Sequence, residues 1–223
     1  NPNNLLRGTN AVILNPGIPT VRTFLVNTCM ELVENYDIDA IHFDDYFYDN
    51  GVDDSFTRSV YNTEGLSLDN FRRKQVSLFI ESLSKSIRNY NMAHNKRIQL
   101  GISPSGIWKS GDGIVTYDQE NNAITNGSST TSTFQHYGNY LYADTLRWIN
   151  EEWIDYILPQ TYWALEHKLC AYVDLISWWD KVVKYKNVNL YSGMGLYIRD
   201  LSGDGSSWQT SNLEAYYQMM VNQ

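Results

Sequence analysis

Segments with helical spacing of apolar residues alternate with short apolar runs along the whole chain, and this alternation restricts the fold more than any other feature. Val21, Phe24, Leu25, Thr28, Leu32 and Val33 mark a first helix to about Asn35, and Ser67 opens a second with Phe71, Val76, Phe79, Ile80, Leu83 and Ile87 on one face. A third is expected from Tyr140 to Asn150, and a fourth carries Leu169, Tyr172, Val173, Ile176, Trp179 and Val183. Ser211 with Glu214 forms a capping box for a last helix through Met220. Between them lie strand-like runs at Asp37–Tyr48, Arg97–Ser103, Trp153–Trp163 and Val188–Tyr197. Near-continuous apolar strands in strict alternation with helices predict a parallel sheet with right-handed crossovers. The expected class is therefore α/β, of the (β/α) TIM-barrel type: a partial barrel of about four to five β/α units. Such a sheet has open edges, which either the N-terminal residues close in part or a second copy covers as a homo-dimer. A small doubly wound sheet is the alternative, with the same ligand side.

The run from Asp37 to Tyr48 carries the chemistry. Alternate residues of a strand share a face, so Ile41 and Phe43 point to covering helices while Ala40, His42 and Asp44 point the other way. Ligands of α/β sheets and barrels bind beyond the carboxyl ends of the strands, where Asp44, Asp45 and Tyr46 fall. The bland alternative is a buried carboxylate that caps the following loop. A repeat strengthens the site reading: Ile38-Asp39-Ala40-Ile41 aligns with Ile154-Asp155-Tyr156-Ile157, which puts Gln160 in the place of Asp44 and Tyr162 in that of Tyr46. On the second strand Gln99, Gly101 and Ser103 face the same way. The polar stretches Asp49–Leu66 and Pro104–Gly138 are longer than connections require, and the second carries Asp112, Asp118 and Glu120.

Composition narrows the partners. With 223 residues, 17 Lys+Arg against 25 Asp+Glu and no basic run, the chain is a poor match for nucleic acid or an anionic membrane surface. Seventeen Tyr and 7 Trp, several just after strands, suit stacking on sugar rings, although each alone is more often core. Cys29 and Cys170, each placed in a helix, make no disulfide framework and show no metal-ligand spacing. His42, His94, His136 and His167 are scattered, so neither a zinc site nor any other cofactor is expected. No apolar run is long enough to be a transmembrane segment, and the polar opening Asn1-Pro2-Asn3-Asn4 is not a signal peptide.

Leu14-Asn15-Pro16-Gly17-Ile18-Pro19, Ile41-His42-Phe43-Asp44-Asp45-Tyr46-Phe47-Tyr48, Gly101-Ile102-Ser103-Pro104-Ser105-Gly106-Ile107-Trp108, Leu141-Tyr142-Ala143-Asp144-Thr145 and Pro159-Gln160-Thr161-Tyr162-Trp163 together resemble the glycosyl-hydrolase-like 10 proteins. The resemblance implies a TIM-barrel glycosidase of the bacterial cell envelope, a lipoprotein type whose targeting segment lies outside this sequence. It implies a polysaccharide substrate, with peptide-free peptidoglycan glycan among the choices. It also implies that residues 1–223 are one catalytic-type domain lacking the first three strands of the barrel and the last. The spacing Asp39-x-x-His42-x-Asp44 further resembles the strand-four pattern of α-amylase-like barrels, with His42 in the place of their Arg. That analogy makes Asp44 the nucleophile or charge stabiliser and His42 its orienter, with Asp45 a supporting or substrate-binding group or exchanged with Asp44 in role.

Glycoside cleavage needs two carboxyls, about 5 Å apart for retention or roughly 6.5–9.5 Å for inversion. The candidates for the acid are Glu166, four residues past Tyr162, and Asp112. Tyr46, Ser103, Trp108, Gln160, Tyr162, Trp163 and Tyr197 would contact sugar together with His42. A chitinase-type mechanism is disfavoured because Tyr46 stands where that pattern has Glu. The main competitor is a non-catalytic glycan-binding protein on the same scaffold.

Overall fold

The computed structural model describes residues 1–132, 134–163 and 167–195. A short hairpin, β1 (Leu5–Arg7) and β2 (Val12–Leu14), precedes α1 (Pro19–Asn35) and β3 (Ala40–Asp44). Then come α2 (Ser55–Tyr61), α3 (Leu68–His94) and β4 (Gln99–Ser103), and a second hairpin, β5 (Val115–Tyr117) with β6 (Ala123–Thr125). The described chain ends with α4 (Thr145–Asn150), β7 (Tyr156–Ile157), α5 (Tyr172–Val183) and β8 (Asn189–Leu190).

The main sheet has four parallel strands in the order β3-β4-β7-β8, which is also their order in sequence. The expected α/β class and parallel sheet are therefore present. One face of the sheet is apolar: Ile41, Leu100, Ile102 and Ile157 join a single core with Val76, Phe79, Ile80, Leu83 and Ile87 of α3, Trp148 and Ile149 of α4, and Trp178, Trp179 and Val182 of α5. Each large side chain so buried contributes roughly 1.5–3 kcal/mol. The other face carries His42, Asp44, Gln99 and Asn189, all solvent-exposed, with Tyr156 half-buried among them. The period of two along β3 thus divides the residues as the sequence implies.

Two helices differ from expectation for local reasons. The helix expected from Tyr140 begins only at Thr145, because Asn139, Tyr140 and Tyr142 have φ of 47°, 66° and 54°, outside the right-handed helical region. Asp144 then caps α4 by accepting from the Arg147 N–H. On α1 the buried line is Val21, Val26 and Val33, while Phe24 and Leu32 remain 59% and 46% exposed, since the helix packs on α3 through its other flank. Ser67 caps α3 as read from the sequence, and Asn95 ends it in the left-handed region at φ 52°. Cys170 is buried but precedes α5, beside Ile107, Trp163 and Leu175. No helix of the described residues is long and apolar enough to cross a membrane.

The long connection after β3 is anchored by a buried ion pair. Both Asp54 carboxylate oxygens accept from Arg72, from Nε and Nη2, at 2.9 Å each. Arg72 also donates to the Val52 carbonyl and the Tyr142 hydroxyl at 3.1 Å each, and its guanidinium lies over the Tyr48 and Tyr142 rings. Asp54 Oδ1 also accepts from Arg58 Nε at 3.2 Å, so Arg72→Met leaves the buried carboxylate with only that half-exposed partner, and unfolding free energy should fall by about 3 kcal/mol, the low end for a broken buried pair, measurable by chemical denaturation.

Candidate active site

The site is built where β3, β4 and β7 end. Asp44, the last residue of β3, is exposed on the polar face. Its Oδ1 accepts from the Gln160 side-chain amide at 2.9 Å and from the Asp45 N–H at 2.9 Å. Gln160 is itself fixed by donating to the Ser103 carbonyl at 2.8 Å, and the Ser103 hydroxyl donates to the Leu158 carbonyl at 3.1 Å. Asp44 and Tyr46, which is 69% exposed, border a cavity of about 370 Å³ whose other walls, among them Leu14, Leu25, Phe43, Phe47, Val76 and Phe79, are apolar and lie on the helix side of β3. That volume is within the usual range for small-molecule sites.

The register explains how Gln160 reaches Asp44. Asp44 pairs with Ser103, whereas Gln160 is level with Ser105, two residues farther along. The repeat-based alignment of Gln160 with Asp44 therefore describes sequence but not level. The sheet is staggered, and the long amide side chain reaches diagonally back.

Asp45 turns the other way. It is 3% exposed and its Oδ2 accepts from the buried Ser105 N–H at 2.6 Å, which ties the end of β3 to the loop after β4. Burial, with the nearby Asp44 charge adding to it, pushes the Asp45 carboxyl up to about 6. The loop-capping alternative considered from sequence thus describes Asp45, while Asp44 takes the open position.

His42 does not hydrogen-bond to Asp44. Its Nδ1 lies 3.0 Å from the Tyr156 hydroxyl, and the two rings stack at 5.6 Å and 12°. Burial lowers the His42 pKa, with Asp44 opposing that shift. Tyr156 reaches His42 by lying across Gly101: a Cβ at 101 would sit 1.9 Å from the ring. The orienter of Asp44 is Gln160, and Tyr156 is a member of the site face that sequence reasoning passed over. Its signal was present in the repeat, where a tyrosine replaces the small Ala40.

Other expected contacts fall elsewhere. Trp108 is buried, stacked on Trp178 at 6.1 Å and edge-on to Tyr137 at 4.8 Å, so it is core and no sugar platform. Trp163 is likewise buried, packed with Ile107, Cys170 and Leu175, because the backbone closes over it at Gly106. Tyr162 between them in sequence is half-buried. Asp112 is engaged at the base of the second hairpin, accepting from the Ile114 N–H at 2.9 Å and the Asn126 amide at 3.0 Å. Glu166 and Tyr197 lie outside the described residues.

The glycosyl hydrolase-like 10 family model matches residues 5–202. The chain is 36% identical over 194 residues to glycosyl hydrolase YngK of Bacillus subtilis (strain 168), covering 84% of this chain and 35% of that protein. It is 30% identical over 189 residues to glycosyl hydrolase DigH of Escherichia coli (strain K12), covering 83% of this chain and 39% of that one. The chain thus spans less than two-fifths of the length of these relatives.

The raised Asp45 pKa has a stability consequence with a definite sign. A carboxyl that binds its proton more tightly folded than unfolded contributes stability below its ordinary 3.8 that is lost as pH rises through about 6. Asp45→Asn keeps an acceptor for Ser105 and carries no charge, so its thermal melts should show a smaller fall between pH 4 and 7 than those of the unsubstituted chain.

Proposed function

The chain belongs to the glycosyl hydrolase-like 10 family, and from that premise we propose that it is a glycoside hydrolase whose cleft carboxylate is Asp44. The observation that carries this reading is the placement of Asp44: solvent-facing at a strand's carboxyl end and held by the Gln160 amide, with the exposed Tyr46 two residues on. In the hydrolytic reaction Asp44 serves as nucleophile or as stabiliser of the positive charge that develops at the anomeric carbon. Gln160 holds its oxygen in place, and Tyr46 offers a face to a sugar ring. Asp45 points away from Asp44's open side, so the two neighbours do not flank one bond. The partner carboxyl comes from another segment, for which Glu166 is the candidate.

The proposed substrate is a polysaccharide of the bacterial cell envelope, with peptide-free peptidoglycan glycan first to be tried, and the proposed location is extracellular or envelope-bound. The proposed scaffold is a (β/α) barrel. Supporting it, the strands follow sequence order, every packed helix shares one core on one face, and the register slips two residues across the two steps from β3 to β7. A mean slip of about one residue per strand is the stagger of an eight-stranded barrel of shear 8. Homo-dimerisation through the outer strands β3 and β8 belongs to the same proposal. The burial of Asp45 favours a second reading, a glycan-binding protein on this scaffold, since it leaves one carboxylate of the pair facing solvent.

Incubation with peptide-free peptidoglycan glycan, chitin and α-glucans, followed by assay of new reducing ends, tests the proposal. Asp44→Asn should abolish hydrolysis, lowering the rate by at least about 10²–10³-fold, the loss that removal of a single electrostatic stabiliser of the transition state produces, while glycan binding is retained. Reducing ends released at an unchanged rate by the variant would remove Asp44 from the mechanism.

A further inference from the structure

Ser105 is held through both of its backbone polar groups, which belong to successive peptide units. Its N–H donates to Asp45 Oδ2 at 2.6 Å, and its carbonyl accepts from His136 Nδ1 at 2.9 Å. His136 is wholly buried, and its Nε2 lies 2.7 Å from the Thr145 hydroxyl. A carbonyl can only accept, so Nδ1 carries the proton and Nε2 accepts from Thr145. Burial pushes the imidazole down to about 3, which leaves it neutral with a fixed tautomer across the working pH range. Trp179 lies parallel to the ring at 6.1 Å and donates from Nε1 to the next carbonyl, that of Gly106, at 2.8 Å. The His136 backbone adds two bonds, from its N–H to the Ile107 carbonyl at 3.0 Å and from the Ala143 N–H to its own carbonyl at 2.8 Å.

We propose that His136 is a positioning residue for the carboxyl end of β3: by holding the Ser105 carbonyl, in the peptide that follows Ser105, it fixes the backbone at that residue and so aims the Ser105 N–H at Asp45, and Asp45 in turn fixes the backbone turn that presents Asp44. This rests on the reading of Asp44 as the cleft carboxylate for its functional meaning, but the physical coupling stands apart from any substrate. A buried histidine kept merely to fill space would satisfy its nitrogens without setting the direction of another peptide's N–H. Here the acceptor it serves belongs to the same residue whose donor serves Asp45.

Two substitutions separate the two ring nitrogens. His136→Asn places an amide nitrogen near Nδ1 and keeps the bond to Ser105; His136→Gln places its amide near Nε2, keeps Thr145 and leaves the Ser105 carbonyl without its donor. In ¹⁵N-labelled protein the Ser105 amide resonance should titrate with Asp45, in the unsubstituted chain and in His136→Asn alike. In His136→Gln it should lose most of that response. Where glycan hydrolysis is measurable, His136→Gln should lower kcat by up to roughly 10²-fold, the cost of misplacement near 1 Å, with KM little changed. Thr145→Val supplies an independent variant that removes only the far donor, and it should reduce the Ser105 response partially. A Ser105 titration in His136→Gln or Thr145→Val equal to that of the unsubstituted chain would overturn the proposal. The amide readout needs no substrate, so a failure of Asp44 as a catalytic group would leave it intact and appear separately in the reducing-end assay.

Discussion

The hydrogen bond from the Ser105 N–H to Asp45 ties the turn after β3 to the loop after β4, beyond the last row of their ladder. A parallel ladder fixes β3 against β4 only as far as the pair Asp44 and Ser103. Beyond that row β3 turns away, while the chain after β4 stays bridged on its other side, Ser105 with Gln160, and the Ser105 N–H without a partner would carry a cost of about 1–3 kcal/mol if buried. Asp45 supplies the acceptor, at the expense of a carboxylate taken out of water. With that bond made, the neighbouring residue, Asp44, is left pointing at solvent. Two identical side chains in adjacent positions thus acquire opposite environments from the pleat alone: one secures the loop, the other is available for chemistry.

The same economy governs the sheet as a whole. Among the described residues every helix that packs on it does so from one side, so the strands' apolar residues make one core and the polar ones share one open face. Parallel strands in sequential order have no place where the winding reverses, and so no crevice of the kind doubly wound sheets use. The polar side chains that meet at the strands' carboxyl ends are Asp44 and Gln160, from different strands, cross-linked through the Ser103 carbonyl.

Much of this was legible in the sequence. The apolar runs located all four parallel strands, the Ser67 cap located the start of α3, and period-two alternation assigned the faces of β3 correctly. Pairing was less legible. The repeat that aligns Gln160 with Asp44 contains no information on stagger, which depends on how strands tilt against each other. The tryptophans were misplaced for a related reason: Trp108 and Trp163 follow strand ends, but whether a loop side chain turns toward the cleft or under it depends on neighbours such as Trp178 and Gly106 that are distant in sequence. The stretch from Pro104 to Gly138 reads as irregular, yet it holds an antiparallel hairpin, closed by Asp118 accepting from the Glu120 and Asn122 N–H groups at 2.9 and 2.8 Å. Short strands with a side-chain-built turn leave little periodic trace.

Gly101 and Tyr156 share one volume, the ring occupying the space where a β-carbon would stand. The two positions are for that reason a single unit of evolutionary change. A bulkier residue at 101 is admissible only alongside a smaller one at 156, and that exchange would strip the imidazole of position 42 of its phenolic neighbour in the same step. A change at Gly101 on β4 is thus felt at His42 on β3 through a ring carried by β7.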